Sequence, residues 1–173
     1  MIPNPTNVLE MLQNDVAAQV NATAPFTTII FPDGTPWSAL TEDEGDIKFE
    51  FERMISVIGL SVVVRAPDLD VAENTDIPGP LFSKATFDVR IFECPQFNRV
   101  ATGTQIRIAQ AIAIVTGTLH GFQPASIGSP IYNTTVRNPN PERWFTREGD
   151  TQGTIVFSRH CAFVAPEILL QIT

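Results

Sequence analysis

The sequence is poor in cysteine, in charge and in long apolar runs, and each shortage excludes a class of protein. Its 2 cysteines, Cys94 and Cys161, are too few for a disulfide framework and fit a reducing, cytoplasmic origin. The longest apolar stretch, near "VIGLSVVV", is far too short to span a bilayer. The start "MIPNPTNVLE" has neither the basic segment nor the apolar run of a secretory signal, so the sequons at Asn21 and Asn133 carry no weight. With 17% charged residues against 43% apolar ones, the chain reads as globular, with few charges to spread over its surface. Twelve phenylalanines then imply either a well-packed core or a surface partly covered by other chains.

Basic residues are the other shortage. The net charge is −8, and it is unevenly placed: up to Asp76 there are 13 acids against Lys48, Arg53 and Arg65. From Ile77 onward 6 acids face 8 bases. An acidic chain is a poor partner for nucleic acid, whose affinity comes from neutralised phosphates. The imbalance suits protomers that pack head-to-tail, or else solvated early loops.

Catalytic motifs are missing as well. "FDVRIFECPQFNRVATGTQIRIAQAIAIVTGTLHGF" has the strand, loop and helix order of a phosphate cradle, but its loop holds one glycine and no lysine, so it is no P-loop. Thr102, Gly103 and Thr104 either hold an anion at the helix start or, as the commoner use of threonine there, cap the helix. Cys94, Cys161, His120 and His160 fall in no metal-ligand spacing, and buried apolar cysteines are the simpler reading. The acids of "DLDVAENTD" lack the order and the glycine of a calcium loop. No G-x-S-x-G occurs, and the carboxylates of "TEDEGD" suit a helix N-terminus. The residues therefore give no catalytic, cofactor or metal site, and the chain is read as not an enzyme.

What is present sketches an α+β fold: one mixed, mainly antiparallel sheet with two or three helices packed on it and long loops. Val8, Leu12, Val16 and Val20 predict a helix over 7–20, and "FTTIIF" predicts a strand over 26–31 before the turn "PDGTPW". Ile47, Phe49 and Phe51 alternate like a strand, whereas Ile47, Phe51, Met54, Ile55 and Ile58 keep a helical period. We take the helix, to about 57, with Thr41 and Glu44 as a capping box, and a strand over 60–65. Phe87, Val89 and Ile91 alternate along the next strand. Ile108, Ala109, Ile112, Ala113, Val115, Thr116 and Leu119 mark one face of a helix closed by Gly121. "SPIYNTTVRN" and "GTIVFSRHCAFV" form a hairpin. The expectation is a single domain over 1–173, with its core over about 7–164 and long loops at 66–83 and 138–150.

Candidate interface residues are Trp144 and Phe145, between Arg143 and Arg147 in the second of those loops, and Trp37, after "PDGTP". The tip bearing Trp144 either meets a partner or folds over its own sheet.

The strand "FDVRIFEC", Asn98-Arg99, a helix ending "TLHGF", then two strands separated by a long loop, together resemble the small tail-terminator and tail-completion (neck) proteins of tailed bacteriophages. The leading helix and "ERMISVIGLSVVV" fall in the corresponding order, so the resemblance spans about 7–164. It implies a virion protein, assembled in the host cytoplasm, whose homo-oligomeric ring, usually hexameric, ends the tail tube and joins tail to head. Its implied partners are further copies of itself, the tail tube protein and the head–tail connector or neck protein. DNA would pass through without specific binding, and no membrane or cofactor is involved. Glu42, Asp43, Glu44, Asp46, Asp68, Asp70, Glu73 and Asp76 are the candidates for an acidic lumen that repels phosphate. Other neck or minor tail proteins, and a small anion- or ligand-binding α+β domain, are the competing readings.

Overall fold

A computed structural model describes the backbone of residues 5–42, 47–66, 68–71, 81–125, 135–137, 144–146 and 156–170. Helix α1 (Pro5–Asn21) leads through a 3-10 turn (Phe26–Thr28) to the short strand β1 (Leu40–Thr41), helix α2 (Ile47–Val57) and strand β2 (Leu60–Val64). Strands β3 (Asp68–Val71) and β4 (Leu81–Glu93) follow, then the single helical turn α3 (Pro95–Asn98) and helix α4 (Ile108–Leu119). Strands β5 (Thr135–Arg137), β6 (Trp144–Thr146) and β7 (Val156–Leu170) complete one sheet. Its order is β1-β2-β4-β7-β5, with β3 also paired to β4 and β6 to β7. β1 and β2 run parallel across the α2 crossover, and every other strand pairing among the described residues is antiparallel. The fold is α+β with a mixed, mainly antiparallel sheet.

The two long strands form its spine. β4 and β7 pair from Leu81↔Leu170 to Glu93↔Phe157, with an irregularity between Ser83 and Ala85. β4 alternates as its sequence demands: Phe87, Val89 and Ile91 are fully buried, while Asp88, Arg90 and Phe92 line the other face. The buried set meets Leu60, Val62 and Val64 of β2, Leu12, Val16 and Val20 of α1, and Ala111, Val115 and Leu119 of α4. Burying one such side chain contributes roughly 1.5–3 kcal/mol. Gln13 on α1 is also buried, and its amide donates to Val64 O at 2.8 Å, fastening the helix to the sheet.

Several expectations are corrected. The 26–31 stretch turns in a 3-10 helix at Phe26–Thr28 instead of forming a strand, and only Ile30 bridges, to Pro36. Phe26 is drawn inward because its ring stacks on Trp37, with centroids 5.0 Å apart. Trp37 itself is 4% exposed and donates its indole N–H to Leu60 O at 3.2 Å. It is core, and so it is withdrawn as an interface residue. Thr41 lies in β1 and cannot cap α2, which begins at Ile47. The 66–83 loop contains β3 and the start of β4, the 138–150 loop contains β6, and β7 runs on to Leu170. On α4 the buried face is Ala111, Val115 and Leu119; Ala109 and Ala113 are exposed.

Trp37→Ala should cost about 3–5 kcal/mol, since it empties an aromatic site and strips Leu60 O of a donor. A thermal midpoint lowered by roughly 10 °C checks this. A second clamp lies nearby. Arg53 of α2 donates to Asp33 at 2.6 Å, to Glu50 at 3.2 Å and to Thr35 Oγ1 at 2.6 Å, with its guanidinium 4.1 Å above the Phe31 ring. The Thr35 hydroxyl and amide, aided by Arg53, hold the Asp33 carboxyl below its ordinary range.

Candidate functional site

The strand–loop–helix unit that suggested a phosphate cradle is organised around a carboxylate of its own. Glu93 closes β4 in phase with Phe87, Val89 and Ile91, and is fully buried. One carboxylate oxygen accepts from Asn98 Nδ2 at 2.9 Å and from Arg99 Nε at 3.1 Å. The other accepts from the Ile108 amide, the first of α4, at 2.9 Å. Asn98, also buried, donates to Ile106 O at 2.9 Å and accepts from the Thr104 hydroxyl. Burial pushes the Glu93 carboxyl up, but the Ile108 amide, Asn98 and Arg99 outweigh it and hold it below the ordinary value.

The start of α4 therefore already holds an anion, Glu93 itself, in the place where a phosphate would sit. The amides leading up to it are committed too. The amides of Gly103, Thr104 and Gln105 donate to Val100 O, Ile58 O and Asn98 O. Those of Ile106 and Arg107 donate to Thr104 Oγ1 at 3.1 Å and to Gln110 Oε1 at 3.0 Å. Every amide from Gly103 to Ile108 is thus spent within the chain. Thr102 is exposed, and Thr104 ties the loop to Asn98 without capping α4, whose cap function falls to Glu93 and Gln110. The expected capping role of these threonines is corrected.

The remaining candidates are scattered. Trp144 and Phe145 lie in the ladder of β6, opposite Ser158 and Phe157 of β7, and Arg143 and Arg147 lie outside the described residues. Glu42 is half-buried, accepting from Arg65 Nε at 3.1 Å and from the Ala66 amide at 2.9 Å. Burial pushes its carboxyl up, but the Ala66 amide and Arg65 bring it below the ordinary range, so it is held in its charged form. Asp68 and Asp70 occupy β3 across from Thr86 and Lys84. Asp43, Glu44, Asp46, Glu73 and Asp76 lie outside the described residues. Cys94 is free and buried, as the apolar reading requires; His120 is exposed, and His160 and Cys161 are successive residues of β7. Among the described residues no group of three His, Cys, Asp or Glu could hold a metal, and no helix is long and apolar enough to cross a membrane.

The residue that sequence reasoning passed over is Glu93. Its signal was available: an acid at the next inward step of a strand whose preceding inward residues are all apolar, five residues before an asparagine and six before an arginine.

No family model and no curated protein matches this chain. Among solved structures, a chain from the "Virion of native gene transfer agent (GTA) particle" superposes with a TM-score of 0.56 at 15% identity. The match covers 92% of this chain and 96% of that one. At that identity the likeness is one of fold, and it extends over nearly the whole of both chains.

Proposed function

We propose that this chain is a structural, non-enzymatic virion protein whose ring of identical copies closes a tail tube and joins tail to head. The observation that carries the proposal is the end-to-end likeness in fold to a chain of a virion particle. The internal anion at the start of α4 supports it from the other side, because the amides from Gly103 to Ile108 are already spent within the chain. A wall of carboxylates would let DNA pass without adhering, and Glu42, Asp43, Glu44, Asp46, Asp68, Asp70, Glu73 and Asp76 are the residues assigned to it. The partners are further copies, the tube protein and the connector or neck protein. Trp144, Phe145 and their flanking arginines remain the candidate contacts to them.

Light scattering with negative-stain imaging tests this, on the protein alone and co-expressed with the tube and connector proteins of its own genomic neighbourhood. Closed rings, or capped tubes of fixed length, are the expected result. A chain that neither rings alone nor co-purifies with those proteins overturns the proposal. So does a thermal midpoint that rises by several degrees with inorganic phosphate, which would install the anion-binding reading.

A further inference from the structure

On the face of the sheet away from α1 and α4, a groove of about 270 Å³ opens beside α2. Its apolar lining is Ile47 and Phe51 of α2, Val63 of β2 and Phe92 of β4, with Phe51 and Phe92 in edge-to-face contact at 4.8 Å. Lys48, Arg65 and Arg90 stand at its rim with one lining acid, Glu42. Arg65 and Arg90 each give their Nε to a carboxylate, Glu42 at 3.1 Å and Asp88 at 2.9 Å. Beyond those bonds, Arg65 Nη1 approaches Asp88 only to 3.8 Å, too far for a hydrogen bond. Two half-exposed guanidinium groups whose terminal N–H donors make no hydrogen bond among the described residues, over an apolar floor, are built to take a carboxylate carried beside apolar side chains.

The chain contains such a segment. At the far end of β7 the sequence reads Glu167, Ile168, Leu169, Leu170, and Glu167 is the single acid after Asp150. Ile168, Leu169 and Leu170 pair with Ser83, Phe82 and Leu81 of β4 on one side. On the other side β5 pairs only with Ala162, Phe163 and Val164, so among the described residues the edge beyond 164 has no strand against it. Glu167 also falls where the β4–β7 register shifts, between Ala85↔Ala165 and Ser83↔Ile168. In register terms this edge lies seven residues of β4 from the groove, counting from Arg90 to Ser83, so one copy cannot fill its own groove with it.

We propose that the groove beside α2 receives the 167–170 end of β7 from a second copy of this chain, with Glu167 on Arg65 and Arg90 and Leu169, two residues on, over Val63 and Phe92. The contact joins two different surfaces, so repeating it gives a ring when the rotation closes. It thus deepens the ring reading and rests on it.

The test is a charge exchange followed by light scattering and analytical ultracentrifugation, with circular dichroism to establish that each variant folds. Arg90→Glu reverses the groove and Glu167→Arg reverses the edge. Each variant alone should associate at least about tenfold more weakly than wild type, because like charges then face one another. Mixing the two variants should restore assembly, since each surface again finds its opposite. Lys48→Glu, at a residue almost wholly exposed on the rim, should weaken association without touching the fold. Wild-type-like assembly of either single variant, or folded variants whose mixture stays apart, overturns the contact. If rings form regardless, the ring reading stands and this surface is wrong. A wild type that stays monomeric at high concentration overturns the contact, and the virion reading is then decided by co-assembly with tube and connector.

Discussion

Glu93→Gln should be the most damaging isosteric change in the chain, lowering stability by about 3–5 kcal/mol. The carboxylate accepts three hydrogen bonds from three different places: the α3 asparagine, Arg99, and the first amide of α4. An amide at that position sets an N–H against a donor whichever way it turns, and it leaves at least one buried group without an acceptor. For a chain of this size the thermal midpoint should fall by roughly 10 °C. Arg99→Ala should cost much less, about 1 kcal/mol or below, because Arg99 is half-exposed and its charge is screened by water. A larger loss for Arg99→Ala than for Glu93→Gln would mean that the arginine, not the carboxylate, organises the unit.

The same residue sets a pH dependence. Its folded-state pKa lies below the ordinary 4.5. A carboxyl depressed on folding contributes stability that is complete above its unfolded value and is lost as pH falls through the folded one. Wild type should therefore hold its margin over Glu93→Gln at neutral pH, and that margin should shrink as the medium is taken below 4.5. Thermal midpoints of both proteins from neutral pH down to about 3 measure this. A constant gap would mean that the carboxyl titrates alike in both states.

Gly59→Ala is the second large effect. Gly59 stands between α2 and β2 with φ +74, and a side chain there would overlap the Asn98 backbone amide and come within 2.7 Å of Asn98 Cβ. The backbone conformation alone costs about 1–2 kcal/mol for a non-glycine residue. The overlap adds more, because the atoms in the way are backbone and because moving Asn98 pulls on Glu93, Ile106 and Thr104 together. The expected total exceeds about 4 kcal/mol, enough to remove a cooperative melt from a marginally stable domain. Gly34→Ala is the control. Gly34 has φ +86 but no atom within 4 Å of the added carbon, so it should lose only the backbone part. Equal losses at the two glycines would mean that contact with Asn98 is not what matters at Gly59.

Much of this fold was legible where periodicity had a single solution. The 47–58 segment admitted a strand and a helix, and exposure of Phe49 at 65% beside burial of Met54, Ile55 and Ile58 is the helical outcome. The helical reading was favoured by the longer run of apolar residues, and Gly59 ended it where expected. The 26–31 stretch misled because Phe, Thr and Ile suit a strand locally, whereas the fate of Phe26 is decided by a ring eleven residues away. The face of α4 was misread because alanines at 109, 111 and 113 do not distinguish one side of a largely apolar helix from another. The reach of β4 and β7 could not be seen, since pairing is set by a partner some seventy residues on, and an acidic, proline-bearing stretch looks like loop until that partner is known. For the candidate site, Asn98-Arg99 stood out as part of a resemblance before its chemistry was apparent. The carboxylate that gives the pair its purpose belongs to no motif, and acids at strand ends are mostly solvated, so its inward phase was its one signal.

The pairing of β4 with β7 also has a mechanical consequence. The bonds of an antiparallel ladder lie across the strands, so a pull along β4 against β7 loads all their pairs, from Leu81↔Leu170 to Glu93↔Phe157, at once and in shear. A pull across β1 or β5 would instead peel two or three residues in succession, as a zipper opens. The molecule is thus stiff along one axis and compliant at right angles to it. Tension applied along the spine would be transmitted through it, while the sheet margins would yield first.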